Sequence, residues 1–118
     1  MREVNFYQSE SGKYPAKEFL DSLTGKQVKK ITWALELFED TSIMPKQYFK
    51  KLVGTADIWE IRVIFSSDIF RLLGFFEFNG NFIITNGFVK KTQKTPVTEI
   101  KIAEERKKDY NERKRRNE

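Results

Sequence analysis

The chain has 118 residues, with 22 Lys or Arg against 17 Asp or Glu, a formal charge of +5 and a pI of about 9.4. It contains no Cys and no His, which excludes disulfides, thiolate nucleophiles, a histidine general base, a Ser-His-Asp triad and imidazole metal sites. The length supports one hydrophobic core, the positive balance favours a polyanionic partner, and no run approaches the roughly 20 apolar residues of a membrane span.

Val4 to Gln8 reads as a first strand, with Val4 and Phe6 on one face. Tyr14-Pro15 opens a short helix, because proline is tolerated at the first helical position, and Phe19, Leu20 and Leu23 give it an apolar side. Thr24 and Gln27 have capping-box spacing and start a second helix from about Gly25 to Glu39. Its apolar stripe is Val28, Ile31, Leu35 and Phe38, broadened by Trp33 and Leu37. The two helices are expected to form a hairpin. Asp40 to Lys51 is polar and reads as a connection.

From Ile58 the period changes to two. Ile58 to Phe65, Ile69 to Phe78 and Asn81 to Val89 form an expected antiparallel meander, joined at Ser66-Ser67-Asp68 and at the hairpin signal Asn79-Gly80. Runs such as Leu72-Leu73-Gly74-Phe75-Phe76 imply a sheet covered on both faces. A last helix begins near Val97, with Thr95 as the candidate cap, and Ile100, Ala103 and Tyr110 on its apolar side. Residues 106–118 are mixed charge and are expected to be a solvated, fraying helix end. The whole is one α+β domain over 1–118, ordered β-α-α-β-β-β-α, with the helix hairpin packed on a twisted, mostly antiparallel sheet.

Candidate functional residues concentrate at one end of the meander. Lys90, Lys91 and Lys94 leave the third strand just before Pro96 starts the helix, a position that suits a phosphate-bearing ligand. Arg62 and Arg71 lie inside hydrophobic strands, where a charge requires a reason. Glu60 and Arg62 are two apart on a strand and share a face. Whether Arg71 joins them depends on the hairpin register. The chain has no carboxylate cluster of the kind that holds magnesium, so metal-independent, cofactor-free chemistry is expected.

The sequence resembles toxins of the RelE/ParE superfamily, most closely the phage-derived HigB-like branch. The resemblance is carried by Trp59-Glu60-Ile61-Arg62, Phe70-Arg71-Leu72-Leu73, and the run from Gly87 through Lys90, Lys91, Gln93 and Lys94 to Pro96, with Glu99, Ile100 and Ala103 beyond. It spans essentially residues 3 to 110, and the lysine-rich run is its most specific part. It implies a RelE-like fold and a type II toxin that enters the ribosomal A site and cleaves mRNA. The implied partners are rRNA, mRNA and a cognate antitoxin, commonly a helix-turn-helix protein of the HigA kind. The free toxin is expected to be monomeric and cytoplasmic, and hetero-oligomeric with its antitoxin.

The expected catalytic set is Glu60, Arg62, Arg71, Lys90, Lys91 and Lys94. The expected contacts with RNA or ribosome are Lys50, Lys51, Phe88, Gln93, Arg106 and Lys107. Relatives place a His or Tyr near the start of the last helix; here there is no His, and the next Tyr is Tyr110. The proton acceptor is therefore open, with Glu60 the nearest candidate. Plainer readings stand beside these: Arg62 as an ion-pair partner of Glu60 or Glu77, Trp59 as core, Phe88 as core or stacking platform, and the lysines as a solvated strand end. A gyrase-inhibiting toxin of the same superfamily and a non-catalytic RNA-binding module are the alternative functions.

Overall fold

A computed structural model describes residues 2–41, 44–89 and 94–117. The elements run β1 (Val4–Phe6), α1 (Pro15–Asp21), α2 (Gly25–Asp40), β2 (Phe49–Lys51), β3 (Trp59–Phe65), β4 (Asp68–Phe76), β5 (Phe82–Val89) and α3 (Val97–Arg116). They form an α+β fold whose sheet order is β1-β5-β4-β3-β2, with β1 parallel to β5 and every other pairing antiparallel. The expected order holds, with one addition. Phe49–Lys51 is a strand rather than part of a connection; at three residues, two of them lysine, it carries no period of its own and is recruited by pairing with Trp59–Ile61.

Local chemistry sets the helix starts. Pro15 opens α1, and the capping box forms at α2, with Gln27 N–H donating to Thr24 Oγ1 at 3.2 Å and Thr24 N–H to Gln27 Oε1 at 2.9 Å. α1 packs on β5 and α2 on β3, so both cover the same face of the sheet. Ile31, Leu35 and Phe38 are buried there among Phe49, Phe82 and Ile61. Trp33 and Leu37 do not broaden this stripe: they are 55% and 42% exposed. The β4–β5 turn is the expected one, with Gly80 at φ 93°, a left-handed value that favours glycine.

The opposite face of the sheet carries α3. Its docking depends on a β-bulge: Leu73 pairs with Asn86 and Gly74 with Ile84, which leaves Thr85 as an extra residue. Thr85 and Asn86 then point the same way, their side chains joined at 2.6 Å. Asn86 Nδ2 donates to Glu99 Oε1 at 2.9 Å, and Arg106 Nη1 donates to the Thr85 carbonyl at 2.9 Å. Further along, the Tyr110 hydroxyl donates to Glu77 and the Tyr7 hydroxyl to Asp109, each at 2.6 Å. The charged end of α3 is thus tied to the sheet, and the helix continues to Arg116.

Two outcomes test this account. A Cβ on Gly74 would run into the Ile83 carbonyl and lie 2.6 Å from the Phe82 ring, whereas one on Gly25 would meet nothing within 4 Å. Gly74→Ala is expected to cost about 3 kcal/mol by urea denaturation, since backbone cannot yield as a side chain can, and Gly25→Ala to be neutral or slightly stabilising. Burial, and then the bond to Glu77, push the Tyr110 phenol up to about 12. The stability this contributes is complete below the ordinary tyrosine value of about 10 and is lost as pH rises through the folded value. Unfolding midpoints measured between those limits should fall with pH, and less steeply in Tyr110→Phe.

Candidate functional site

The β3–β4 register answers the question about Arg71. Arg62 and Arg71 are directly opposed, so Glu60, Arg62 and Arg71 share the face that α3 covers. Arg71 Nη1 lies 3.4 Å from Glu60 Oε2 and 3.3 Å from Thr95 Oγ1, and Arg62 Nε lies 3.7 Å from Glu60 Oε1. The Thr95 hydroxyl donates to Glu60 Oε2. Thr95 is therefore not the cap of α3, a place taken by Pro96 without any side-chain bond. It joins the segment before α3 to the charges on the sheet.

Burial orders these groups. Glu60 and Arg71 are fully inaccessible, while the Arg62 side chain keeps 15% exposure. One carboxylate between two guanidiniums leaves the cluster with a formal excess of one positive charge, and Arg62 is its member toward solvent. Burying such charges is costly unless each is paired and hydrogen-bonded. Arg71 and the Thr95 hydroxyl both bond Glu60 Oε2, while Oε1 meets Arg62 at 3.7 Å without a hydrogen bond among the described residues.

The other expected residues fall around this cluster. Lys50 is opposite Glu60 in the β2–β3 register, so an exposed third cation sits on the same face at the sheet's edge. Lys51 is exposed and pairs with Asp57 at 2.7 Å, and the bond from its ammonium holds the Asp57 carboxyl below the usual range. Phe88 is opposite Arg71 and packs partly against the Leu73 and Ala103 cluster, which makes it a wall of the site. Lys94 is exposed just before α3. Arg106 and Lys107 are turned inward along α3, Lys107 Nζ donating to the Ala56 carbonyl at 2.7 Å. Lys90, Lys91 and Gln93 lie outside the described residues. Glu77 is engaged by Tyr110 and by Lys114, the latter at 2.6 Å.

Sequence reasoning missed Thr95 as a partner of Glu60, and it missed Thr85 and Asn86 altogether. A signal existed for the second pair: two adjacent polar residues interrupt the apolar run Phe82–Val89.

Arranged this way, the residues can bind a phosphate at Arg62, with Arg71 fixed behind it and Lys50 beside it. A family model described as Phage derived protein Gp49-like (DUF891) matches residues 18–108, which includes every part of this cluster. No curated protein shows significant similarity to the chain. Among the described residues, no helix is long and apolar enough to cross a membrane.

The ion cluster makes a stability prediction. Glu60→Gln leaves the buried Arg71 without its counter-charge and is expected to cost about 3–5 kcal/mol in urea denaturation. Adding Arg71→Met to Glu60→Leu should recover most of that loss, because the two fully inaccessible charges are then removed together and Arg62 keeps access to solvent. Equal destabilisation by the single and double changes would show that the pair is not the stabilising unit.

Proposed function

The chain belongs to the Gp49-like family of phage-derived proteins, and on that footing we propose that it is the toxin of a type II toxin–antitoxin pair, a ribosome-dependent endoribonuclease acting on mRNA in the cytoplasm. Its HigB-like resemblance supports this reading. The observation that carries it is the Glu60–Arg62–Arg71 cluster, closed by Thr95, at the mouth of a lysine-bearing segment.

In the proposed reaction the ribose 2′-oxygen attacks the adjacent phosphorus and the 5′-oxygen leaves, giving a cyclic phosphate. The 2′-hydroxyl loses a proton and the 5′-oxygen gains one. Arg62 stabilises charge on the phosphoryl oxygens as the transition state forms, the kind of contribution that is largest in a partly desolvated site. Arg71 and Glu60 hold Arg62 in place; the ion pair is second to the reacting atoms in this conformation, since both are fully inaccessible. Glu60 remains the nearest carboxylate for the 2′-proton, and reaching it requires the Arg62 side of the cluster to open. Lys90, Lys91 and Lys94 are proposed to serve the leaving oxygen and the phosphate. Lys50, Lys51, Phe88, Gln93, Arg106 and Lys107 are proposed to contact RNA, the last two only by giving up backbone bonds they now make. The ribosome supplies orientation of the message, which lets a site of modest intrinsic power suffice. A cognate antitoxin, of the helix-turn-helix kind, holds the toxin inactive.

The test is induced expression in a bacterial host with primer-extension mapping of transcript ends. Wild type should arrest growth and produce new ends inside translated reading frames, and Arg62→Ala should reduce cutting by roughly 10²-fold while remaining folded. Arrest without new ends would overturn the nuclease and favour gyrase inhibition. Growth without arrest would favour a non-catalytic RNA-binding module.

A further inference from the structure

The apolar residues that α2 does not bury line a groove of their own. Trp33 and Leu37 on α2, with Tyr48, Met44 and Ile64 at the sheet edge, line an opening of about 400 Å³. Trp33, Leu37 and Ile64 are 55%, 42% and 50% exposed, a concentration unlike the scattered apolar residues of an ordinary surface.

The groove runs beside an incomplete sheet edge. β2 covers only Trp59–Ile61, and the last backbone bond on that side is from Arg62 N–H to the Tyr48 carbonyl at 2.8 Å. Backbone groups alternate sides along a strand. The Ile64 N–H and C=O therefore point the same way as those of Arg62, and among the described residues no strand meets them. Among the described residues the walls carry two cations, Lys30 and Arg62, and no carboxylate.

These features select an occupant. We propose that the groove takes an acidic, extended segment of a partner protein, which adds a strand to β3 beyond Arg62. Alternate apolar side chains of that strand seat against Trp33 and Leu37 on the α2 side, and the intervening carboxylates turn to the face that carries Arg62. A helix would fill the apolar groove but leave the strand's backbone groups unanswered. RNA would meet the two cations but leave the apolar Leu37, Met44 and Ile64 without a partner of their own chemistry. The proposal deepens the toxin reading, on which it rests for the partner's role as an inhibitor, because the segment would place a carboxylate on the guanidinium that the chemistry needs.

The experiment is a random peptide display selection, with segments of about twelve residues, against the full chain. Enriched peptides are then measured by fluorescence anisotropy with wild type, Trp33→Ala, Ile64→Pro and Ile64→Asp. The expected result is net-acidic peptides with alternating apolar positions, bound at least about tenfold more weakly by Trp33→Ala and Ile64→Pro and weakened by salt. If Ile64→Pro fails to fold by circular dichroism, Ile64→Asp carries the test, since it sets a like charge against the acidic segment. Enrichment of basic or patternless peptides would overturn the proposal, as would binding that all variants retain. So would a groove that takes only a single-stranded RNA oligonucleotide, or one closed by self-association in sedimentation. Acidic peptides that bind while transcripts stay intact would remove the nuclease reading alone, and cut transcripts without such peptides would remove this inference alone.

Discussion

The Glu60 carboxylate has no exposure and is met from three directions by Arg71, Arg62 and Thr95. Those partners come from β3, β4 and the segment that enters α3, so one buried anion fixes the relation between the sheet and the last helix. Replacing such a pair by apolar groups of the same volume is often neutral or favourable. An ion pair kept at this depth therefore has a reason other than stability, and Arg62, the one member of the cluster that keeps some exposure, supplies one. Its guanidinium is oriented from behind by an anion that solvent does not reach, which leaves it preorganised for a second anion from outside.

The bulge at Thr85 serves the same arrangement from the other strand. An extra residue in β5 turns two consecutive polar side chains toward α3, and Asn86 then holds Glu99 in that helix's first turn. Gly74 opposite the bulge leaves room for the close approach of Phe82 and the Ile83 carbonyl. Helix, bulge and ion cluster together pin the segment that carries Lys94 and Thr95. On the far side of the sheet, the aromatic cluster of Phe38, Phe49, Phe76 and Phe82 supplies the apolar burial that keeps the strands rigid.

The elements with strong local signals were legible in the sequence: the period-two meander, the Asn79-Gly80 turn and the Thr24–Gln27 capping box depend on residues close in the chain. Phe49–Lys51 was not, because a three-residue edge strand forms through its neighbour rather than through its own pattern. The site was legible in its parts and not in its assembly. Arg62 and Arg71 stood out as charges in apolar strands, yet their opposition follows from the β3–β4 register, which a turn of Ser and Ser left open. Thr95 looked like a helix cap because it precedes Pro96, and a long-range partner 35 residues away outcompeted that role. Trp33 and Leu37 misled for a related reason: on a helix wheel they flank the buried stripe, but β2 ends too soon to bring the sheet beneath them.

That early end of β2 links the two surfaces. Arg62 is the residue at which the paired edge stops; its side chain belongs to the ion cluster on the α3 face, and the residue also lines the edge of the apolar groove. A segment lying along β3 and a phosphate arriving at the cluster would compete for the same guanidinium. Inhibition by such a segment needs no conformational signal across the fold: it follows from shared occupancy, and it weakens the phosphate contact in proportion to the fraction of protein bound. The apolar residues supply affinity at a distance from the chemistry, where they can vary in partner fit without disturbing Glu60 or Arg71. The charge at the rim supplies the coupling.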